Sequence, residues 1–195
     1  MIESMLKRFH ILTDADRQQA LREVMQEIAL AGLYRAGFFE KAALYGGTCL
    51  RIFHGLPRYS EDLDFSLLNP TPDFRWQPYL EAIQTEFKAQ GVEVSIREKI
   101  KSSKTTIESA FLKNETSVTV LEFSGVRVKI KLEVDTQPPL GFTTDESLLI
   151  EPFSFYVKCF SLPDLYAGKL HAVLYRQWTH RVKGRDWYDL EWYIR

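Results

Sequence analysis

The segment VRVKIKLEVD, Val126 to Asp135, alternates without interruption. Val126, Val128, Ile130, Leu132 and Val134 fall on one side of an extended chain, and Arg127, Lys129, Lys131, Glu133 and Asp135 on the other. Such a strand cannot bury its apolar face alone. It needs neighbouring strands for its backbone groups and a second layer over its apolar side. Ser124-Gly125 just ahead suits a two-residue hairpin turn, and Val118–Phe123 suits the strand before that turn. Further strands are expected at Ala42–Tyr45, at Leu63–Leu68, around Val92, Val94 and Ile96, and near Phe111.

The second layer is helical. Thr13 and Asp16 have capping-box spacing and open a helix to about Arg35, with Leu21, Val24, Ile28 and Leu33 as its apolar stripe. A brief helix carrying Leu50, Ile52 and Phe53 follows Gly46-Gly47. Another carries Trp76, Leu80, Ile83 and Phe87, after the break at Asn69-Pro70-Thr71-Pro72. Ser161-Leu162-Pro163-Asp164 reads as a second capping box. It opens a helix whose stripe is Leu162, Leu165, Tyr166, Leu170, Val173 and Leu174, and a last helix begins near Asp186. This order predicts an α+β fold, a mixed sheet flanked by helices. Residues 1–160 would form the core and 161–195 a C-terminal helical portion within a single compact unit.

Composition narrows the function classes. The 195 residues are 45% hydrophobic and 26% charged, which is globular and neither disordered nor fibrous. A formal net charge of -1 leaves no global footprint of a nucleic-acid binder, so any basic surface must be local. The 2 cysteines, Cys49 and Cys159, are far apart and read as buried thiols in a reducing compartment. The four histidines show no ligand spacing, which argues against zinc. The start lacks the apolar core of a signal peptide, and no apolar run is long enough to span a bilayer. A soluble cytoplasmic protein, with no membrane partner, is expected.

Four constellations could carry chemistry, and each has a plainer alternative. Asp62 and Asp64 share one face of a strand, and Glu133 could join them if the two strands pair. Three carboxylates suit a hard cation with phosphate as its remaining ligand, whereas a D-x-D alone is commonly a solvated sheet edge. Gly46-Gly47-Thr48, between strand and helix, lets backbone amides approach a phosphate, or merely makes a tight turn. Lys169 sits on the apolar stripe of its helix, so it must snorkel, pair with a carboxylate or reach into a site. The loop RQWTHRVKGR gathers Arg176, His180, Arg181, Lys183 and Arg185 around a tryptophan. It suits a nucleotide or single-stranded nucleic acid, or it is simply solvated. Asp186 beyond it could be an N-cap, and Trp76, Trp187 and Trp192 read as core.

Together, GGTCLR, RYSEDLDF, KIKLEVD, DLYAGKLHAVLYR and KGRDWYDLEW resemble the AbiEii/AbiGii abortive-infection toxin nucleotidyltransferases, of the DNA polymerase β-like superfamily. The resemblance runs from about Leu44 to Trp192. It implies that Gly46, Gly47 and Thr48 contact a triphosphate, with Arg58, Ser60 and Arg185 also on the nucleotide. Asp62, Asp64 and Glu133 would bind two Mg2+ ions, with Asp135, on the same face as Glu133, a competitor for the third place. Lys169 and Asp186 match the lysine and aspartate of the C-terminal motif. The implied reaction moves a nucleoside monophosphate from an NTP to an acceptor and releases pyrophosphate. RNA, particularly the 3′ end of tRNA, is the favoured acceptor, and a cognate antitoxin would relieve the toxicity. A protein or small-molecule acceptor, and a binding module that keeps the fold without activity, stand as alternatives. The gap of fourteen residues between Gly47 and Asp62 is longer than the superfamily's usual one and requires a helix to fill it.

Overall fold

In the computed structural model, residues 1–71, 73–99, 116–123, 128–139, 141–175 and 184–195 are described. Phe111, the Ser124-Gly125 turn, Val126 and Arg127, and the loop residues Arg176, His180, Arg181 and Lys183 lie outside them. After a short helix α1 (Ile2–Leu6), Thr13 caps α2 (Asp14–Arg35) as its spacing predicts. The Thr13 hydroxyl accepts from the Asp16 amide, and the Asp16 carboxylate accepts from the Thr13 amide. The helix is not one-faced, however. From Glu23 to Leu33 it is buried all round, while Leu21 is only partly covered. The reason is that α2 lies against the sheet on one side and against α4 (Gln77–Ala89) on the other.

The strands are β1 (Ala42–Tyr45), β2 (Asp62–Leu67), β3 (Val94–Lys99), β4 (Thr116–Phe123), β5 (Lys129–Asp135), β6 (Thr144–Leu149) and β7 (Phe155–Phe160). Among the described residues they form one seven-stranded mixed sheet in the order β3-β4-β5-β2-β1-β7-β6. β2 runs parallel to β5 and antiparallel to β1, which itself runs parallel to β7. The alternation of β5 is realised. Val128, Ile130, Leu132 and Val134 are buried, Lys129 is exposed, and Lys131 and Glu133 are half-buried. Asp135 departs from this pattern and is buried. Its Oδ1 accepts the Gln137 amide at 2.9 Å and closes the turn after the strand. The expected α+β class therefore holds, with two strands, β6 and β7, that local patterning did not mark.

The helix α3 (Gly46–His54) fills the gap between the glycine pair and β2 and touches β1, β2 and β6. Two helices close the chain, α5 (Leu162–Tyr175), which packs on α3, and α6 (Gly184–Ile194). Two expectations for α5 fail. Asp164 does not complete a capping box, because its Oδ2 takes the Thr143 amide and hydroxyl and the Ser161 hydroxyl, while the Ser161 amide goes to the Thr143 carbonyl. The broad apolar stripe is not buried either. Leu165 and Val173 are covered, but Leu162, Tyr166, Leu170 and Leu174 are exposed. Trp187 is likewise exposed, whereas Trp76 belongs to the core and Trp192 packs against it.

Phe38, Phe65, Trp76 and Tyr79 meet at the centre of the core, with ring centroids 4.9 Å apart for Phe38–Phe65 and for Phe38–Tyr79. Complete burial of a side chain such as Phe65 contributes about 1.5–3 kcal/mol, so this cluster anchors β2 from beneath. Cys49 and Cys159 are buried free thiols, as expected.

Candidate active site

The site begins at the turn from β1 into α3. Gly46 has φ +79°, and a Cβ there would come within 2.8 Å of Asp64 Oδ2. Only glycine combines that backbone with so close a carboxylate. A Cβ on Gly47 would lie 2.9 Å from Ser60 Oγ and 3.1 Å from Arg58 Nη2. The pair thus leaves backbone open to Asp64 on one side and to Arg58 and Ser60 on the other. The Tyr45 side chain at the N-cap makes no capping hydrogen bond, and the first-turn amides and dipole of such a helix suit an anion. Thr48 is buried, and its hydroxyl donates to the Asp62 carbonyl. What Thr48 can offer a ligand is its amide, while its side chain fixes where β2 starts.

The carboxylates are set by register. Tyr45 pairs with Asp64 across β1–β2, and Asp64 pairs with Glu133 across β2–β5, with Asp62 beside Lys131 one step along the same face. Burial, then the charges of Glu133 and Asp62, raise the Asp64 carboxyl to about 7, against the opposing pull of Lys131 and Lys169. Burial raises Asp62 as well. Glu133 is ion-paired with Lys131. Among the described residues no three acidic, histidine or cysteine side chains close into a group ready to hold a metal ion. The donor set nevertheless fits a hard divalent cation in kind. It is all oxygen, and Asp64 carries more negative surroundings than its two lysine neighbours offset. Asp135 pairs with Ser66, one step beyond Glu133 on the same face and away from Asp62.

Cations approach from the loop before β2 and from the C-terminal helices. Arg58 makes a two-pronged contact with Asp189, Nε to Oδ1 at 2.6 Å and Nη2 to Oδ2 at 2.5 Å. Lys169 Nζ lies 2.6 Å from Asp189 Oδ2 and 3.3 Å from Asp186 Oδ1. Lys169 falls between Leu165 and Val173, one helical turn from each, so it points inward with the only well-covered apolar residues of α5 among those described. Asp186 is in the first turn of α6 and buried, not an exposed N-cap. The loop itself is held by α2. Gln26 Nε2 donates to the Ser60 carbonyl, and Arg51 bridges Glu23 to the carbonyls of Leu56 and Pro57. Arg185 stands apart, exposed and paired with Glu61 at 2.8 Å.

The structure therefore brings together Gly46, Gly47, Arg58, Ser60, Asp62, Asp64, Glu133, Lys169 and Asp186, and leaves Arg185 at the rim. Sequence reasoning missed Asp189 and Lys131. Asp189 lies three residues after Asp186, hence on the same helix face, and that spacing was its signal. Lys131 was visible on the polar face of its strand beside Glu133.

The site sets the glycine turn beside Asp64, Glu133 beside Asp64 on the next strand, and the partly buried Arg58 and Lys169 behind them, and solved structures share the fold. A candidate nucleotidyltransferase from H. pylori matches with a TM-score of 0.56 and 18% identity, over 93% of this chain and 68% of that one. JHP933 from Helicobacter pylori matches with a TM-score of 0.55 and 19% identity, over 93% and 67%. At such identities the likeness is one of fold. No curated protein matches the chain. Residues 28–195 match the family described as nucleotidyl transferase AbiEii toxin, Type IV TA system, and the chain belongs to that family.

Proposed function

We propose that this nucleotidyltransferase acts as the toxin of a toxin–antitoxin pair by moving a nucleoside monophosphate from an NTP to RNA, at the 3′ end of tRNA, in a magnesium-dependent reaction. The observation that carries the reading is the register of Asp64 with Glu133 and Tyr45, which sets Asp64 against the Gly46-Gly47 turn and Glu133 directly beside Asp64. The amides of Gly46, Gly47 and Thr48 would take phosphate oxygens at the start of α3. Arg58 and Lys169 would offset the triphosphate's charge. Asp62, Asp64 and Glu133 would hold magnesium, with Glu133 favoured over Asp135 because it is Glu133 that pairs with Asp64. Bound there, magnesium supplies charge stabilisation at the reacting phosphate and the departing pyrophosphate.

The acceptor hydroxyl oxygen bonds to the α-phosphorus, the bond to the β-phosphate oxygen breaks, and the hydroxyl proton passes to a carboxylate of this group. Residues 161–195 would then complete the site of residues 1–160 as one unit, which the contacts of Lys169, Asp186 and Asp189 support. Such chemistry belongs where NTPs and RNA are, in the cytoplasm, and no described helix is long and apolar enough to cross a membrane. The test is incubation with each labelled NTP, magnesium, total cell RNA and total cell protein. Label in RNA supports the reading, and label in protein moves the acceptor to that class. No transfer with any NTP overturns it.

A further inference from the structure

Asp189 is fully buried, yet its two oxygens serve two cations from elements far apart in the chain. Arg58 comes from the loop before β2, 131 residues away, and uses both prongs of its guanidinium. Lys169 comes from α5 and shares Oδ2. The captured guanidinium is the one whose Nη2 stands 3.1 Å from the position of a Gly47 Cβ, and the captured ammonium also lies 3.3 Å from Asp186 Oδ1.

We infer that Asp189 is a positioning residue of the nucleotide site, a buried carboxylate on α6 that holds Arg58 against the glycine turn and, through the shared Oδ2, Lys169 beside it. It touches neither substrate nor reacting atoms and works through the two cations. The fork of an arginine fixes direction as well as charge, so losing the carboxylate leaves Arg58 charged but unaimed. This inference rests on the nucleotide-transfer reading of the same site.

The experiment uses the full chain, magnesium, total cell RNA and whichever NTP gives the highest wild-type rate. Asp189→Asn should raise KM for the NTP by about tenfold or more, and in an Arg58→Met background by no more than about threefold, because the guanidinium it aims is gone and only Lys169 is left for it to hold. Asp189→Glu, which keeps the charge but shifts it, should fall between wild type and Asp189→Asn. It replaces Asp189→Asn in the comparison if that variant does not fold. A role confined to packing would lower Tm and multiply with Arg58→Met. Unchanged KM in a folded variant, or full multiplication of the two effects, overturns the inference while wild-type transfer keeps the broader reading. Absence of transfer by the wild type overturns both.

Discussion

At Asp64, burial and two neighbouring carboxylates push in the same direction and raise its carboxyl to about 7. A group in that state wants either a proton or a cation, which is why its neighbours matter more than its own position. Lys169 is the neighbour whose role separates two explanations. Its stem lies in line with Leu165 and Val173, so Lys169→Met preserves the apolar contact and removes only the charge. We expect nucleotide transfer to fall by about a hundredfold in Lys169→Met, measured as label incorporated per minute. A wild-type rate would mean that the lysine merely snorkels. Lys169 was legible from its spacing on α5 because a lysine on a buried line needs a reason. Asp189 was harder to read. Its partners Arg58 and Lys169 lie 131 and 20 residues back, and no local rule joins residues at such separations.

Among the elements, those with a local signature were readable, and those shaped by tertiary contact were not. β1 and β5 follow from alternation and from the glycine pair. β6 carries TDESLL, mostly exposed, and gains its strand form only by pairing with β7. The α5 stripe was drawn too wide because periodicity reports which residues could be covered, not whether anything covers them. The opposite holds for α2, where a second helix covers the face that periodicity left polar. A Cβ on Gly32 of α2 would stand 2.7 Å from the Ile83 Cα of α4, and a backbone atom cannot move aside as a side-chain tip can. Gly32→Ala is therefore expected to destabilise the fold by about 1–3 kcal/mol in denaturant unfolding, despite alanine's better helix propensity. A variant as stable as wild type would show that the two helices are not so tightly apposed.

For the molecule as a whole, pH should act through Glu27 as well as through the site. Glu27 joins α2 to the N-terminal stretch through Arg8, 2.5 Å away, and Arg8 continues to Glu151 at 2.9 Å. Burial still outweighs that arginine and raises the Glu27 carboxyl from 4.5 to about 7. The folded protein then holds a proton that the unfolded chain has released, so this contribution is complete below about pH 4.5 and is lost as pH rises through 7. Glu27→Gln should make the fall in unfolding free energy between pH 5 and pH 8 shallower by up to about 3 kcal/mol. An identical fall in both proteins would place the proton elsewhere. The central claim, nucleotidyl transfer at the Asp64 carboxylate set against the glycine turn, is tested most directly by pairing activity with stability in Asp64→Asn. Asparagine is nearly isosteric and relieves the crowding of like charge, so Tm at pH 8 should hold or rise while magnesium-dependent transfer from labelled NTP disappears. Transfer by Asp64→Asn at the wild-type rate would contradict the account.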